Sequence, residues 1–255
     1  MTREVEVRLP GGNVGGAVRV GDTVRRPTGP WTPAVHALLD HLASRGLRAV
    51  PRTHGYDHAG REVLDYLPGE VIDVDSEVLT NARLASAARW LRDYHAAVGD
   101  FRPGTLRWRF GTLPLDDGEI VCHHDVAPYN MAFDCDELAG VFDWDVAGPG
   151  RPIDDLGFLA WNGVPLFREV PGWTADDVAA RLRLLAGAYG DGPSPLAIAE
   201  HAVARMRAAT DRIEAGQRAG DPGMLRLGEI GEPAATRARI AAFATRLPAV
   251  AAALR

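Results

Sequence analysis

Asp125, Asn130 and Asp143 are the residues whose types and spacing could do chemistry. An amide oxygen and a carboxylate, from Asn130 and Asp143, suit a hard octahedral cation such as Mg²⁺ that keeps several of its waters. Asp125 is then left to accept a proton. Aspartate, asparagine and aspartate in this order make the layout of a phosphoryl-transfer centre, where the protein positions groups and neutralises charge.

The flanking pattern says how these residues meet. Glu119-Ile120-Val121-Cys122 reads as a strand running into His123-His124-Asp125. Apolar alternation in Met131-Ala132-Phe133 and again in Val141-Phe142, around the polar turn Asp134-Cys135-Asp136-Glu137, predicts a hairpin. The hairpin returns the chain, so Asp143 falls beside Asn130. His123 and His124 are adjacent on an extended segment and point opposite ways, which argues against a shared zinc or iron site. Asp145 and Asp154 read as surface or capping residues.

Upstream, Val5 to Leu9 alternates as a strand, a glycine-rich run follows, and 17–20 and 23–26 read as strands around Gly21-Asp22. Glycines in that run let backbone N–H groups approach phosphate oxygens without a Cβ in the way, and Gly12 and its neighbour Asn13 are the candidates. Helices are predicted over about 33–44 and 82–98, then 175–188, 195–218 and 234–253. Gly-Asp-Gly-Pro at 190–193 and Gly-Asp-Pro-Gly at 220–223 punctuate the later ones. His95 lies on the apolar stripe of the 82–98 helix and reads as a packed or capping residue.

The pattern H-x-D-x4-N, a hairpin and then F-D-W resembles the aminoglycoside phosphotransferase and choline kinase-like family, small-molecule kinases built on the protein-kinase fold. The resemblance implies an α+β, bilobal fold, with a small N-terminal β-sheet lobe carrying one helix and a larger, mainly helical C-terminal lobe. The lobes would span 1–66, binding nucleotide, and 67–255, holding the catalytic groups and the acceptor, with a hinge at about 64–69. It puts His123, Asp125 and Asn130 on the catalytic loop, Asp143 at the metal-binding aspartate and Asp155 at the aspartate of a D-L-A segment. Asp125 would be the base, Asn130 and Asp143 the Mg²⁺ ligands, and His123 and Asp155 braces for the loop. ATP or GTP would be the cosubstrate, its adenine edge meeting the Asp65 carbonyl and the Leu67 amide at the hinge.

The chain departs from that family at one place. Kinases of this fold aim a strand lysine at the α- and β-phosphates and pair it with a helix glutamate. All 28 basic residues here are arginine. Arg25 or Arg26 stands at the lysine site, Arg25 being favoured by its distance to Pro27, and Val35 or His36 stands at the glutamate site. A planar, permanently charged guanidinium can still bind phosphate bidentately.

The expected function is phosphorylation of a small-molecule hydroxyl, an aminoglycoside or similar antibiotic being one acceptor class; a catalytically silent nucleotide-binding module is the alternative. A net charge of −6 disfavours nucleic acid as a partner. The polar start Met1-Thr2-Arg3-Glu4 and the absence of a run of ~20 apolar residues predict no membrane partner and a cytoplasmic protein. Cys122 and Cys135 make no disulfide framework.

Overall fold

The computed structural model describes residues 5–9, 16–102, 104–110 and 114–255. Gly12 and Asn13 lie outside the described residues. The chain opens with an antiparallel sheet of β1 (Val7–Arg8), β2 (Val18–Val20), β3 (Thr23–Arg26), β4 (Thr53–Tyr56) and β5 (Glu62–Asp65), in the order β1-β2-β3-β5-β4. Between β3 and β4 runs α1 (Thr32–Ser44), with Pro33 in its first turn, where the missing N–H is no loss. Val35, Leu38, Leu39 and Leu42 recur at helical spacing and are buried.

Pairing of β3 with β5 sets Arg26 directly across from Glu62, and Arg25 across from Val63. Successive strand residues face opposite sides of a sheet, so the two arginines serve different surfaces.

A short connection leaves β5, and Glu70 then pairs with Phe133 through both backbone hydrogen bonds, 2.8 and 2.9 Å. Gly69, at φ +146°, passes so close that a Cβ would lie 2.8 Å from the Phe133 carbonyl oxygen. Beyond it come α2 (Asn81–Val98), β6 (Ile120–Cys122), the hairpin β7 (Met131–Asp134) and β8 (Glu137–Val141), β9 (Gly148–Gly150) and α3 (Pro152–Gly163). Helices α4 (Ala175–Tyr189), α5 (Pro195–Arg218), α6 (Pro222–Glu229) and α7 (Ala234–Ala253) complete it. This is the expected α+β architecture, a small sheet with one helix followed by a mainly helical body. Among the described residues no helix is long and apolar enough to cross a membrane.

Helices α3 and α6 are not among those that the spacing predicts. Leu156, Phe158, Leu159, Ala160 and Trp161 of α3 are all buried, so no polar stripe marks the helix. The Gly-Asp-Pro-Gly break hides a start signal: Asp221 accepts the N–H groups of Gly223 and Met224, and Pro222 opens α6. Helices α3 and α5 touch backbone to backbone at Gly157, where a Cβ would lie 3.2 Å from Ala202 Cα.

Candidate active site

Strand β6 delivers His123, His124 and Asp125 to the head of the α3 helix. Asp155, in the first turn of α3, is fully buried and accepts the backbone N–H of His123 at 2.9 Å and of His124 at 2.7 Å. His95 of α2 adds a third contact at 3.2 Å and is itself held by the Tyr189 hydroxyl. Burial opposes ionisation of Asp155, but the hydrogen bond and charge of His95, then the two catalytic-loop histidines, hold it well below the usual carboxylate range.

The His123 ring packs on Trp144 at 4.4 Å. Its Nδ1 accepts the Asp125 N–H at 3.2 Å and its Nε2 lies 3.2 Å from the Phe142 carbonyl oxygen, which selects the Nε2–H tautomer. Burial lowers its pKa and keeps it neutral. His124 takes a left-handed backbone at φ +66°, a conformation that costs a side-chain-bearing residue about 1–3 kcal/mol. Arg205 of α5 fixes this turn by donating to the His124 carbonyl at 2.7 Å. His124 Nε2 meets the Pro149 carbonyl at 2.9 Å, and burial followed by the Arg205 charge pulls the ring down to about 4.

Asp125 is half-buried and receives the Tyr129 hydroxyl at 2.9 Å and the Asn130 amide at 2.8 Å. Burial and then the Asp143 charge push it up to about 7, against the pull of those two donors. A one-turn 3-10 helix over Pro128–Asn130 carries both donors. With the Asn130 amide nitrogen also bonded to the Asp125 carbonyl at 2.9 Å, its oxygen is the atom left to face a ligand. The Phe142 N–H donates to the Asn130 carbonyl at 3.0 Å, which brings Asp143 alongside Asn130. Asp143 is also left-handed, at φ +64°, at the end of the hairpin.

Arg26 reaches across from the sheet to this carboxylate. Its guanidinium lies 3.0 Å from Asp143, 2.8 Å from Asp145 and 3.7 Å from Glu62. Glu62 is 2% exposed and bonds His36 of α1 at 3.1 Å. Burial opposes the charge on Arg26, but Asp143, Asp145 and Glu62 together raise its pKa above an already high value. Arg25, favoured by the sequence for this place, points instead to the Thr23 hydroxyl and to Asp57 at 3.9 Å. The register decides between them: position 26, not 25, faces the interlobe side with Glu62.

The carboxylate partner is therefore supplied by strand β5, and α1 contributes His36 to the same carboxylate. Asp145, expected at the surface or in a cap, is instead drawn in between Arg26 and Arg109, whose guanidinium is 4.0 Å away. Burial raises its pKa against the pull of Arg26. Asp154, expected as a surface or capping residue, does cap α3, accepting the Arg151 N–H at 2.8 Å. Where the sequence places a hinge, the Asp65 carboxylate holds the Arg52 N–H and His54, and Leu67 packs so tightly on β8 that a Cβ at Gly140 would lie 2.7 Å from it. Glu62, Tyr129 and Arg205 escaped the sequence reading, while His36, one of the two residues it set at the glutamate site, is the α1 residue that bonds Glu62. Glu62 had a readable signal, an acid directly across from an arginine once β3 and β5 are paired.

Comparison with known proteins follows the same outline. The profile of the phosphotransferase enzyme family matches residues 100–197. Among solved structures, an amicoumacin kinase in complex with AMP-PNP, Ca²⁺ and Ami superposes with a TM-score of 0.64 at 11% identity, covering 95% of this chain and 87% of that one. A choline/ethanolamine kinase family protein from Mesorhizobium loti gives 0.58 at 18% identity, over 98% and 92% of the two chains. The GDP complex of aminoglycoside 2'-phosphotransferase-IIIa gives 0.60 at 15% identity, over 89% and 92%. These likenesses establish the fold. The trifolitoxin immunity protein of Rhizobium leguminosarum bv. trifolii is 30% identical over 184 residues, 70% of this chain and 67% of that protein. With that identity running through most of both chains, and the family profile lying over the catalytic loop and α3, the chain belongs to the phosphotransferase enzyme family.

Proposed function

We propose that the protein is a kinase that transfers the γ-phosphoryl group of ATP or GTP to a hydroxyl of a small molecule. One observation carries this: Asp125, Asn130 and Asp143 converge on one edge of the hairpin, with Arg26 reaching Asp143 from the facing sheet. Asp125 orients the acceptor hydroxyl and takes its proton, and a carboxyl pushed up to about 7 has the basicity for that task near neutral pH. Tyr129 and Asn130 aim its oxygens. His123 and Asp155 keep the loop in place through backbone hydrogen bonds. Arg26, held by Glu62 and His36, supplies the cation for the phosphates.

The donor set of Asn130 and Asp143 is all hard oxygen, which fits Mg²⁺ and not a soft metal. Bound there with nucleotide, Mg²⁺ would neutralise phosphate charge. The Asp65 carbonyl and the Leu67 amide, between the sheet and the helical body, are the proposed contacts for the purine edge; Gly12 and Asn13 are proposed to cover the phosphates. The lobes divide at 66/67. The structural relatives bear names of antibiotic and amino-alcohol kinases, and the acceptor is proposed to be a hydroxylated antibiotic or metabolite. Retention of a base that a silent binder would not use favours the enzyme over a nucleotide-binding module.

The test is nucleotide turnover across a panel of antibiotics, amino alcohols, sugars and hydroxy acids, with Asp125→Asn as control. Acceptor-dependent ADP release that falls about 10²–10⁴-fold in Asp125→Asn is expected. Equal turnover in wild type and variant would remove Asp125 from the chemistry.

A further inference from the structure

A cavity of about 660 Å³ opens beside the catalytic loop. His124 and Pro149 form one wall, and α5 presents His201, Arg205 and Arg212 from the other. Its volume is that of a small-molecule site. His124, whose carbonyl Arg205 holds, directly precedes Asp125 in the chain, so the cavity adjoins the proposed base.

The balance of partners in this cavity is uneven. Its acids are already engaged: Asp154 holds His201 at 2.7 Å and caps α3, and Glu119 accepts the Asp116 N–H at 2.9 Å. Of its three arginines, Arg109 is engaged by Asp221 at 3.3 Å, and Arg205 and Arg212 are not so engaged. Arg205 is 5% exposed and uses one nitrogen on the His124 carbonyl, while its Nε and Nη1 are buried with no partner. Among the described residues the Arg212 guanidinium has the Phe110 ring 5.2 Å away, and it feels the Asp154 charge without forming an ion pair. Among the described residues neither guanidinium makes an ion pair with a carboxylate, in contrast to the neighbouring Arg109. Burial, then the charge of Arg205, draws the Arg212 pKa down to about 10. Two like charges facing one polar cavity with buried donors unmet is a costly arrangement unless an anion completes it.

We propose that this cavity binds an oxyanion of the acceptor, a carboxylate or a phosphate ester, between Arg205 and Arg212, so that a hydroxyl of the same molecule reaches Asp125. The proposal rests on the phosphotransfer reading and narrows it: the acceptor is an acid, and a polycationic acceptor is disfavoured. Guanidinium forks match the planar, bidentate geometry of such groups.

Calorimetry of the full chain with inorganic phosphate, and separately with glycerate, tests the site without turnover. Binding is expected in wild type, weakened about tenfold or more in Arg212→Gln and held within about twofold in Arg207→Gln, an exposed arginine of α5 that does not line the cavity. Arg205→Gln also loses the bond to the His124 carbonyl, so Arg212→Gln is the decisive variant. Absence of binding in wild type, or a loss in Arg207→Gln in place of Arg212→Gln, would overturn the site. Turnover is then compared within pairs, glycerate against glycerol and galacturonate against galactose, with an aminoglycoside as the cationic reference. The acids are expected to have the higher kcat/KM, and the preference to vanish in Arg212→Gln. Preference for the cationic acceptor would overturn the acid assignment and leave phosphotransfer standing. Phosphate binding with no acceptor turned over would retain the anion site and sink phosphotransfer, so the two failures are told apart.

Discussion

The carboxyl group of Asp125 illustrates how a working residue weakens its own fold. Its native pKa of about 7 lies above the unfolded value of about 3.9, so the folded chain binds more protons between those limits and stability declines as pH rises through them. Asp125→Asn removes that charge. The variant is expected to melt higher than wild type at pH 8 and to show no such gain at pH 3.5, while losing activity. Melting curves at both pH values check this, and a lower Tm at pH 8 would mean that the loop needs the carboxylate. Asp155 has the opposite sign. Its pKa is depressed, so its contribution is present above the unfolded carboxylate value and is lost as pH falls towards its native one. Asp155→Asn should therefore be less stable than wild type at neutral pH, with the gap closing in acid.

Among strands, one step of register decides which arginine matters. Arg25 and Arg26 have the same chemistry, and nothing in their spacing to Pro27 tells which side of the sheet each faces. Pairing with β5 tells, because Glu62 is buried directly across from Arg26. Arg26→Met is expected to raise KM for nucleotide and lower kcat by about tenfold or more, and Arg25→Met to change either by less than about threefold. Steady-state kinetics with varied nucleotide separates the two, and the reverse ranking would return the role to Arg25. The catalytic loop, the hairpin and Asp143 were legible in sequence because local alternation and turn residues fix them. The Arg26–Glu62–His36 group was not, since it joins β3, β5 and α1 through pairings that no local pattern encodes. Helix α3 was hidden for a related reason: it is buried nearly all round, so its period leaves no polar face to read.

Across the whole molecule, the α3–α5 contact ties the cavity wall on α5 to the loop that carries Asp125. Asp155 at the head of α3 holds the loop's backbone, Arg205 on α5 holds the His124 carbonyl, and Gly157 lets the two helices approach. Gly157→Val would force them apart. A loss of about 1–3 kcal/mol in stability is expected from such overpacking, measured by urea unfolding, with kcat falling more than the KM for nucleotide. Unchanged kcat in a destabilised variant would show that the contact serves folding alone. The hinge side reads differently: Gly69 and Gly140 clamp the connection onto β7 and β8, so movement of the sheet would pivot there and spare the α3–α5 pair.

If Asp143 holds the metal and Arg26 the phosphates, as proposed, their ion pair would make ligand binding an exchange of partners. A divalent cation arriving alone at Asp143 would meet the charge of a guanidinium that Asp145 and Glu62 still hold close by, and a nucleotide arriving alone would draw that guanidinium away from Asp143. In the proposed kinase, arriving together, the metal would take Asp143 and the phosphates would take Arg26, so that each relieves the charge the other leaves. The pair would then act as an AND gate. Its signature is a coupling free energy between metal and nucleotide that calorimetry reads from a four-cornered cycle. In Arg26→Met the gate is open on one side, so Mg²⁺ alone should bind more tightly than to wild type, even as the nucleotide binds less well.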